Sequence, residues 1–221
     1  MKITLIAGAR PNFMKIAPII HAIKALGNEH LSYRLVHTGQ HFDEKMSHTF
    51  FKQLNIPEPD VNLNCGGGTQ AEQTAAIMVA FEQELLAHPA DLVLVVGDVT
   101  STMACSIVAK KLQIKVAHVE AGIRSFDLTM PEEINRVLVD HCAAQLLAPN
   151  EASKTQLLSE GISAADITVV GSTAIDAARA FANKAQHRTV VIDALLSLGL
   201  SPQTPFLACT VHRAENTTPD V

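Results

Sequence analysis

Acids and cations recur in this chain directly after short apolar runs. Asp98 follows Gly97 at the end of one run, and Glu120 precedes Ala121-Gly122 at the end of another. Arg10 lies just beyond the first run, with Lys15 further along the segment that follows. Gln40 and His41 come after the second run, and Arg124 lies beyond Glu120. Glu132 and Glu133 begin a later helical pattern with Arg136 one turn on, and His212-Arg213 closes the last apolar run. Carboxylates and a histidine so placed suit general acid–base work. Arg10, Lys15 and helix N-termini suit a diphosphate, which both cations and unpaired amides favour.

Each residue also has an ordinary structural use. Taken alone, Asp98 reads as the N-cap of a helix beginning near Thr100. Glu132 and Glu133 read as first-turn acids complementing a helix dipole. Arg10 has an ordinary use as a surface charge pairing with a helix, and His141 reads as a packed or surface histidine. The set says more than its members, because successive strand ends of one sheet all carry charge. In an open parallel sheet, ligands occupy the crevice beyond the carboxyl ends of the strands. Asp98 and Glu120 are therefore expected to face one crevice.

The elements that must position these groups alternate. Apolar runs at residues 2–7, 32–38, 91–96, 115–119, 145–148 and 167–170 read as strands. Between and after them, 12–26, 43–54, 69–88, 100–112, 132–142 and 151–160 carry helical patterns. Pro11 suits a first helical turn and Gly27 a helix end, while Pro18 should kink the helix between them. This alternation predicts a doubly wound α/β parallel sheet. Beyond Gly171 the pattern changes to helices at 173–184 and 189–198, a break at 202–205 and a fresh strand at 206–211. Residues 1–170 are thus expected to form a first domain, and 171–221 the opening of a truncated second one.

Composition narrows the partners. The 221 residues are 48% hydrophobic and 18% charged, with a net charge of −5 and no Lys/Arg-rich run. A nucleic-acid or anionic-membrane partner is not expected. The apolar runs are too short to span a bilayer, and a strand starting at Lys2 leaves no room for a signal peptide, so a cytoplasmic protein is expected. The four cysteines contain no CxxC pair, and His37, His41 and His48 share no helical face. No metal site or disulfide is expected. The first strand–helix turn reads AGARPNF, not GxGxxG, and Gly66–Gly68 lacks the GK[ST] of a phosphate loop. There is no GxSxG elbow and no HExxH, which argues against serine-hydrolase and zinc-protease chemistry.

Four segments, GARPNFMKIAPI, VLVVGDVTST, HVEAGIRSFDLTMPEEINR and TVHRAEN, together resemble the non-hydrolysing UDP-N-acetylglucosamine 2-epimerases in order and spacing. The resemblance implies a two-lobed fold of two Rossmann-like domains, of the glycosyltransferase-B type, with the second lobe mostly absent here. It implies interconversion of UDP-GlcNAc and UDP-ManNAc by elimination of UDP to a 2-acetamidoglucal and re-addition. Position by position, it makes Asp98, Glu120 and Glu132 the catalytic carboxylates and His212 the catalytic histidine. Arg10 and Lys15 match the nucleotide-contacting pair. The substrate-binding set is then Arg10, Lys15, Asp98, Glu120 and His212, with UDP-GlcNAc or UDP as ligand. No metal or redox cofactor is implied, and a homodimer is implied at full length. One departure is Leu128, where the family commonly carries a basic residue. A chain ending at Val221 also lacks second-lobe contacts and is expected to be inactive or very weak alone.

Three rivals stay open: a hydrolysing 2-epimerase releasing UDP and ManNAc, a transferase of the same two-lobed architecture, and a non-catalytic nucleotide-sugar-binding fragment. The division of acid and base roles among the carboxylates is likewise open.

Overall fold

The computed structural model describes residues 1–27, 30–39, 51–186 and 190–201, with 203–205, 207 and 209. The side chains of Arg10, of 183–186 and of 190 fall outside that set. So do Gln40, His41 and His212, most of the helix expected at 43–54 and much of the strand expected at 206–211.

Seven strands form one sheet, every neighbouring pair parallel. They are β1 (Lys2–Ala7), β2 (Ser32–His37), β3 (Val61–Asn62), β4 (Leu92–Val96), β5 (Lys115–Val119), β6 (Gln145–Ala148) and β7 (Ile167–Val169). Their spatial order is β3-β2-β1-β4-β5-β6-β7. The helices that lie wholly among the described residues are α1 (Arg10–Leu26), α2 (Gln70–Ala87), α3 (Thr100–Lys111), α4 (Pro131–Cys142), α5 (Glu151–Ser159), α6 (Thr173–Gln186) and α7 (Val190–Ser197). From β1 the chain first runs outward to β2 and β3, then returns to β4 on the other side and runs outward again. The order of the strands therefore reverses between β1 and β4. Because parallel crossovers are right-handed, a reversal of direction puts the connecting helices on opposite faces.

One face is sealed by Ile77, Phe81 and Leu85 of α2, Ala104, Cys105, Val108 and Ala109 of α3, and Val139 of α4. These pack on Ile6, Val36, Val93, Val95 and Val116 of the strands. Phe81 and Ile77 are fully buried, and each such side chain contributes on the order of 2 kcal/mol. Among the described residues that cluster includes none of α1, whose Phe13, Ile16, Ala17 and Ile20 are also buried. A smaller cluster joins Leu146 and Ala148 of β6 to Leu157 of α5 and Ile167 of β7.

Most boundaries fall within a residue or two of the sequence expectation. Two features differ. β3 is two residues long and pairs with the end of β2 through Val36↔Val61 and His37↔Asn62. A 3-10 turn at Ala164–Asp166 leads into β7. Helix α2 opens on a capping box, in which Thr69 Oγ1 accepts the Glu72 N–H at 3.2 Å and Glu72 accepts the Thr69 N–H at 2.8 Å. The chain divides into two compact units, Met1–Arg179 and Ala180–Val221. Among the described residues no helix is long and apolar enough to cross a membrane.

Candidate active site

The site builds outward from the reversal between β1 and β4, where doubly wound sheets leave a crevice. Asn12, in the first turn of α1, closes it at the base. Its Oδ1 accepts the Gly8 and Ala9 N–H groups at 3.0 and 2.9 Å, and its Nδ2 donates to the Val96 carbonyl at 3.1 Å. One side chain thus joins the exit of β1 to the exit of β4.

Gly97 turns the chain away from β4 with φ +70°, a conformation that L side chains rarely adopt. A Cβ there would meet Lys15 Nζ at 3.3 Å and Glu120 Oε2 at 3.6 Å. The turn therefore lies directly against a charged pair: Lys15 Nζ donates to Glu120 Oε2 at 2.5 Å. Glu120 itself holds φ +71°. A non-glycine residue in that region costs energy and persists only where its surroundings fix it. Here its N–H donates to the Leu147 carbonyl at 3.1 Å.

Asp98 does not cap α3. Val99 occupies the N-cap without a side-chain bond, and the Asp98 carboxylate turns instead to α4. Arg136 Nη2 and Nε donate to Asp98 Oδ2 at 2.5 and 3.0 Å, and Asn135 Nδ2 donates to the Asp98 carbonyl at 2.8 Å. The capping role suggested by Asp98 alone is thereby overturned, because the Arg136 guanidinium of a neighbouring helix takes the carboxylate instead.

Arg136 also donates through Nη1 to Glu133 Oε2 at 2.9 Å. Glu133 is buried, and its carboxylate accepts the N–H groups of Ser125 and Phe126, each at 2.9 Å, and the Ser125 hydroxyl at 3.0 Å. Burial alone would raise its pKa; these donors and Arg136 outweigh it and hold the carboxyl at about 2. For Arg136, burial works against the charge, and the bonds to Glu133 and Asp98 outweigh it, raising the pKa. Glu132, one residue away, is exposed and bonds to no described residue. Two adjacent glutamates thus serve differently: one fixes the loop and the other faces solvent.

Arg124, which follows Glu120 in the chain, is turned inward. Its side chain is 3% exposed and lies between Asp140 Oδ2 at 2.8 Å and Glu160 Oε2 at 2.7 Å. Behind the strand exits, His118 of β5 places Nδ1 2.6 Å from Asp140 Oδ1 and Nε2 2.8 Å from the Gly97 carbonyl oxygen. Asp140 Oδ2 accepts the Gly122 N–H at 3.0 Å. Burial would raise the Asp140 pKa, but His118, Arg124 and the Gly122 amide bring it below the usual range.

Of the residues expected to act together, the structure brings Lys15 to Glu120 directly and places Asp98 next to the glycine that touches both. Arg10 begins α1 at the same strand end, its side chain undescribed, and His212 lies outside the described residues. Asn12, Asn135, His118 and Asp140 were not singled out from the sequence, and Arg136 was noted beyond Glu132 and Glu133 without a role. For Arg136 a signal existed, since it stands one helical turn from Glu132 and Glu133. Asn12, in the first turn of α1, and His118, inside an apolar run, gave none. Among the described residues no group of three or more His, Cys, Asp or Glu could hold a metal ion. A depression of about 580 Å³ at the opposite ends of the strands is lined by residues including Asp91, Gln113, Lys115 and Gln145, away from these groups.

A reversed-order parallel sheet with an acid–cation pair at each of two adjacent strand exits defines a Rossmann-like α/β domain with a polar site at its switch point. The family model described as UDP-N-acetylglucosamine 2-epimerase matches residues 24–221, and the chain belongs to that family. It is 44% identical to the UDP-N-acetylglucosamine 2-epimerase of Methanocaldococcus jannaschii, covering 98% of this chain and 58% of the relative. It is 42% identical to the UDP-2,3-diacetamido-2,3-dideoxy-D-glucuronate 2-epimerase of Pseudomonas aeruginosa, covering 98% of this chain and 59% of that one. The crystal structure of the M. jannaschii enzyme in complex with UDP-GlcNAc and UDP matches with a TM-score of 0.83 at 45% identity, over 89% of this chain and 54% of that one. The Neisseria meningitidis UDP-GlcNAc 2-epimerase bound to UDP-GlcNAc matches with a TM-score of 0.81 at 32% identity, over 90% of this chain and 53% of that one. The chain therefore spans somewhat over half the length of the curated relatives it matches.

Proposed function

We propose that this chain supplies the first, Rossmann-like lobe of an enzyme that interconverts UDP-GlcNAc and UDP-ManNAc. In this reading residues 1–170 carry the three carboxylates with Arg10 and Lys15, and 171–221 lead into a second lobe that completes the site. The reaction breaks the C2–H and C1–O bonds in anti elimination, giving a 2-acetamidoglucal and UDP. Re-addition returns a proton to the other face of C2 and UDP to C1, so no atoms are gained or lost.

The C2 hydrogen is weakly acidic, so its removal needs both a placed base and stabilisation of the departing diphosphate. Asp98, Glu120 and Glu132 handle that proton. Arg10, Lys15 and His212 serve the diphosphate. The observation that carries this reading is the pairing of Asp98 with Arg136 and of Glu120 with Lys15 at adjacent strand exits, in a chain of this family. No cofactor is needed, because UDP is both leaving and returning group. A homodimer in the cytoplasm completes the proposal.

The test is incubation of UDP-GlcNAc with the full-length protein in D2O. Deuterium at C2 of the recovered UDP-sugar, lost in Asp98→Asn and Glu120→Gln, is the expected result. Release of free ManNAc would favour a hydrolysing enzyme, transfer to an acceptor without C2 exchange a transferase, and binding without exchange a non-catalytic role. The P. aeruginosa relative favours a second reading, with a UDP-linked 2,3-diacetamido uronate as substrate and the same C2 chemistry. Running that substrate in parallel separates the two by kcat/KM.

A further inference from the structure

We propose that His118 and Asp140 form a positioning pair that sets the geometry between the Asp98 and Glu120 turns. This deepens the epimerase reading and rests on it. Neither side chain reaches the crevice: both are buried, His118 in β5 and Asp140 in α4. What they hold is backbone. His118 Nε2 sits 2.8 Å from the carbonyl of Gly97, the residue before Asp98. Asp140 Oδ2 accepts the N–H of Gly122, two residues after Glu120. The two are joined through His118 Nδ1 and Asp140 Oδ1 at 2.6 Å. One continuous chain of hydrogen bonds therefore runs from the exit of β4 to the exit of β5, behind the acids rather than among them.

The chemistry of the ring supports a fixed geometry. A carbonyl oxygen can only accept, so at the Gly97 contact Nε2 is the donor. Arg124 holds Asp140 from its other side at 2.8 Å and is itself held by Glu160, which leaves the carboxylate little freedom to rotate. Two acids acting at one carbon need placement within a fraction of an ångström, and an error of about 1 Å costs on the order of 100-fold in rate. Glu120 and Gly97 both adopt positive φ, so the turns depend on their surroundings for that placement.

The amide side chains dissect the pair. Gln places its N–H near the position of the imidazole Nε2, and Asn near that of Nδ1. His118→Gln therefore keeps the Gly97 carbonyl bond, and His118→Asn keeps the Asp140 bond. In full-length protein, kcat for C2 deuterium exchange is expected to fall about 100-fold in His118→Asn, with KM changed less than about threefold. His118→Gln is expected to retain at least about ten times the kcat of His118→Asn, although Asn leaves the buried carboxylate better satisfied and should unfold at equal or higher urea. A role in folding alone makes activity follow stability, so a kcat for Asn equal to or above that for Gln overturns the proposal. Should neither variant fold, proton–nitrogen correlation spectra of the unsubstituted protein decide. A proton on His118 Nε2 at neutral pH is expected, and its absence overturns the proposal. No C2 exchange by the unsubstituted protein would instead refute the epimerase reading itself.

Discussion

Lys15 Nζ and Glu120 Oε2 meet at 2.5 Å although 105 residues separate them in the chain. Their contact spans the point where the strand order reverses, tying α1 to the exit of β5 across the end of β4. Both side chains are mostly shielded, 21% and 13% exposed, so removing either partner leaves a charge in poor solvent. Lys15→Met is expected to destabilise the protein by about 1–3 kcal/mol. A double-mutant cycle with Glu120→Gln should show coupling of about 1 kcal/mol. Urea unfolding of the four species checks this, and coupling within error of zero contradicts it.

Gly122 and Gly161 both have positive φ, +79° and +85°, but only Gly122 is crowded. A Cβ at Gly122 would lie 2.3 Å from the Ser153 carbonyl oxygen, a backbone atom, whereas nothing lies within 4 Å at Gly161. Gly161→Ala should cost about 1–2 kcal/mol from backbone conformation alone. Gly122→Ala adds a clash that only movement of α5 relieves, so a total of about 3 kcal/mol or more is expected. Denaturation midpoints of the pair decide; equal losses would mean the contact with α5 is soft.

Glu133 provides an acid-sensitive tether. Its pKa is held at about 2 against an ordinary value of 4.5. A depressed carboxyl stabilises fully above its unfolded value and loses that contribution as pH falls through its folded value. The stabilisation, on the order of 3 kcal/mol, is therefore present above pH 4.5 and declines from there towards pH 2. Glu133→Gln should be less stable than the parent at pH 6, and the gap should narrow as pH is lowered from 4.5. Urea unfolding at pH 6, 4.5 and 3.5 tests the trend, and a gap that does not narrow contradicts it.

Glu132 should separate activity from stability. It is exposed and bonds to no described residue, so Glu132→Gln is expected to change stability by less than about 0.5 kcal/mol. Under the proposed mechanism the same change removes a group that handles the C2 proton, and deuterium exchange should fall by at least about 100-fold. Exchange within threefold of the parent would remove Glu132 from the mechanism.

How far the site was legible depends on what kind of information each residue carries. The strand exits bearing Asp98 and Glu120 followed from apolar runs that stop abruptly, since a fully buried strand needs unbroken apolar sequence. β3 escaped notice because Val61–Asn62 is too short to carry a period. Arg124 follows the exit of β5 in the chain, yet it faces inward, because Asp140 and Glu160 lie behind it. The direction of a long side chain is set by its neighbours in space, which no local pattern encodes.

Glu132 and Glu133 mark the boundary most sharply. Residue types, their order and the apolar periodicity determined a doubly wound sheet, the acids at its exits and the likeness to one enzyme family. Only tertiary structure decided which of two adjacent glutamates would be buried, that Arg136 would grip Asp98, and that His118 would sit behind Gly97. Periodicity is a property of the chain, and it suffices to place elements. Pairing between charges depends on the rotation of α4 against β4 and β5, which is fixed by packing contacts among residues far apart in sequence.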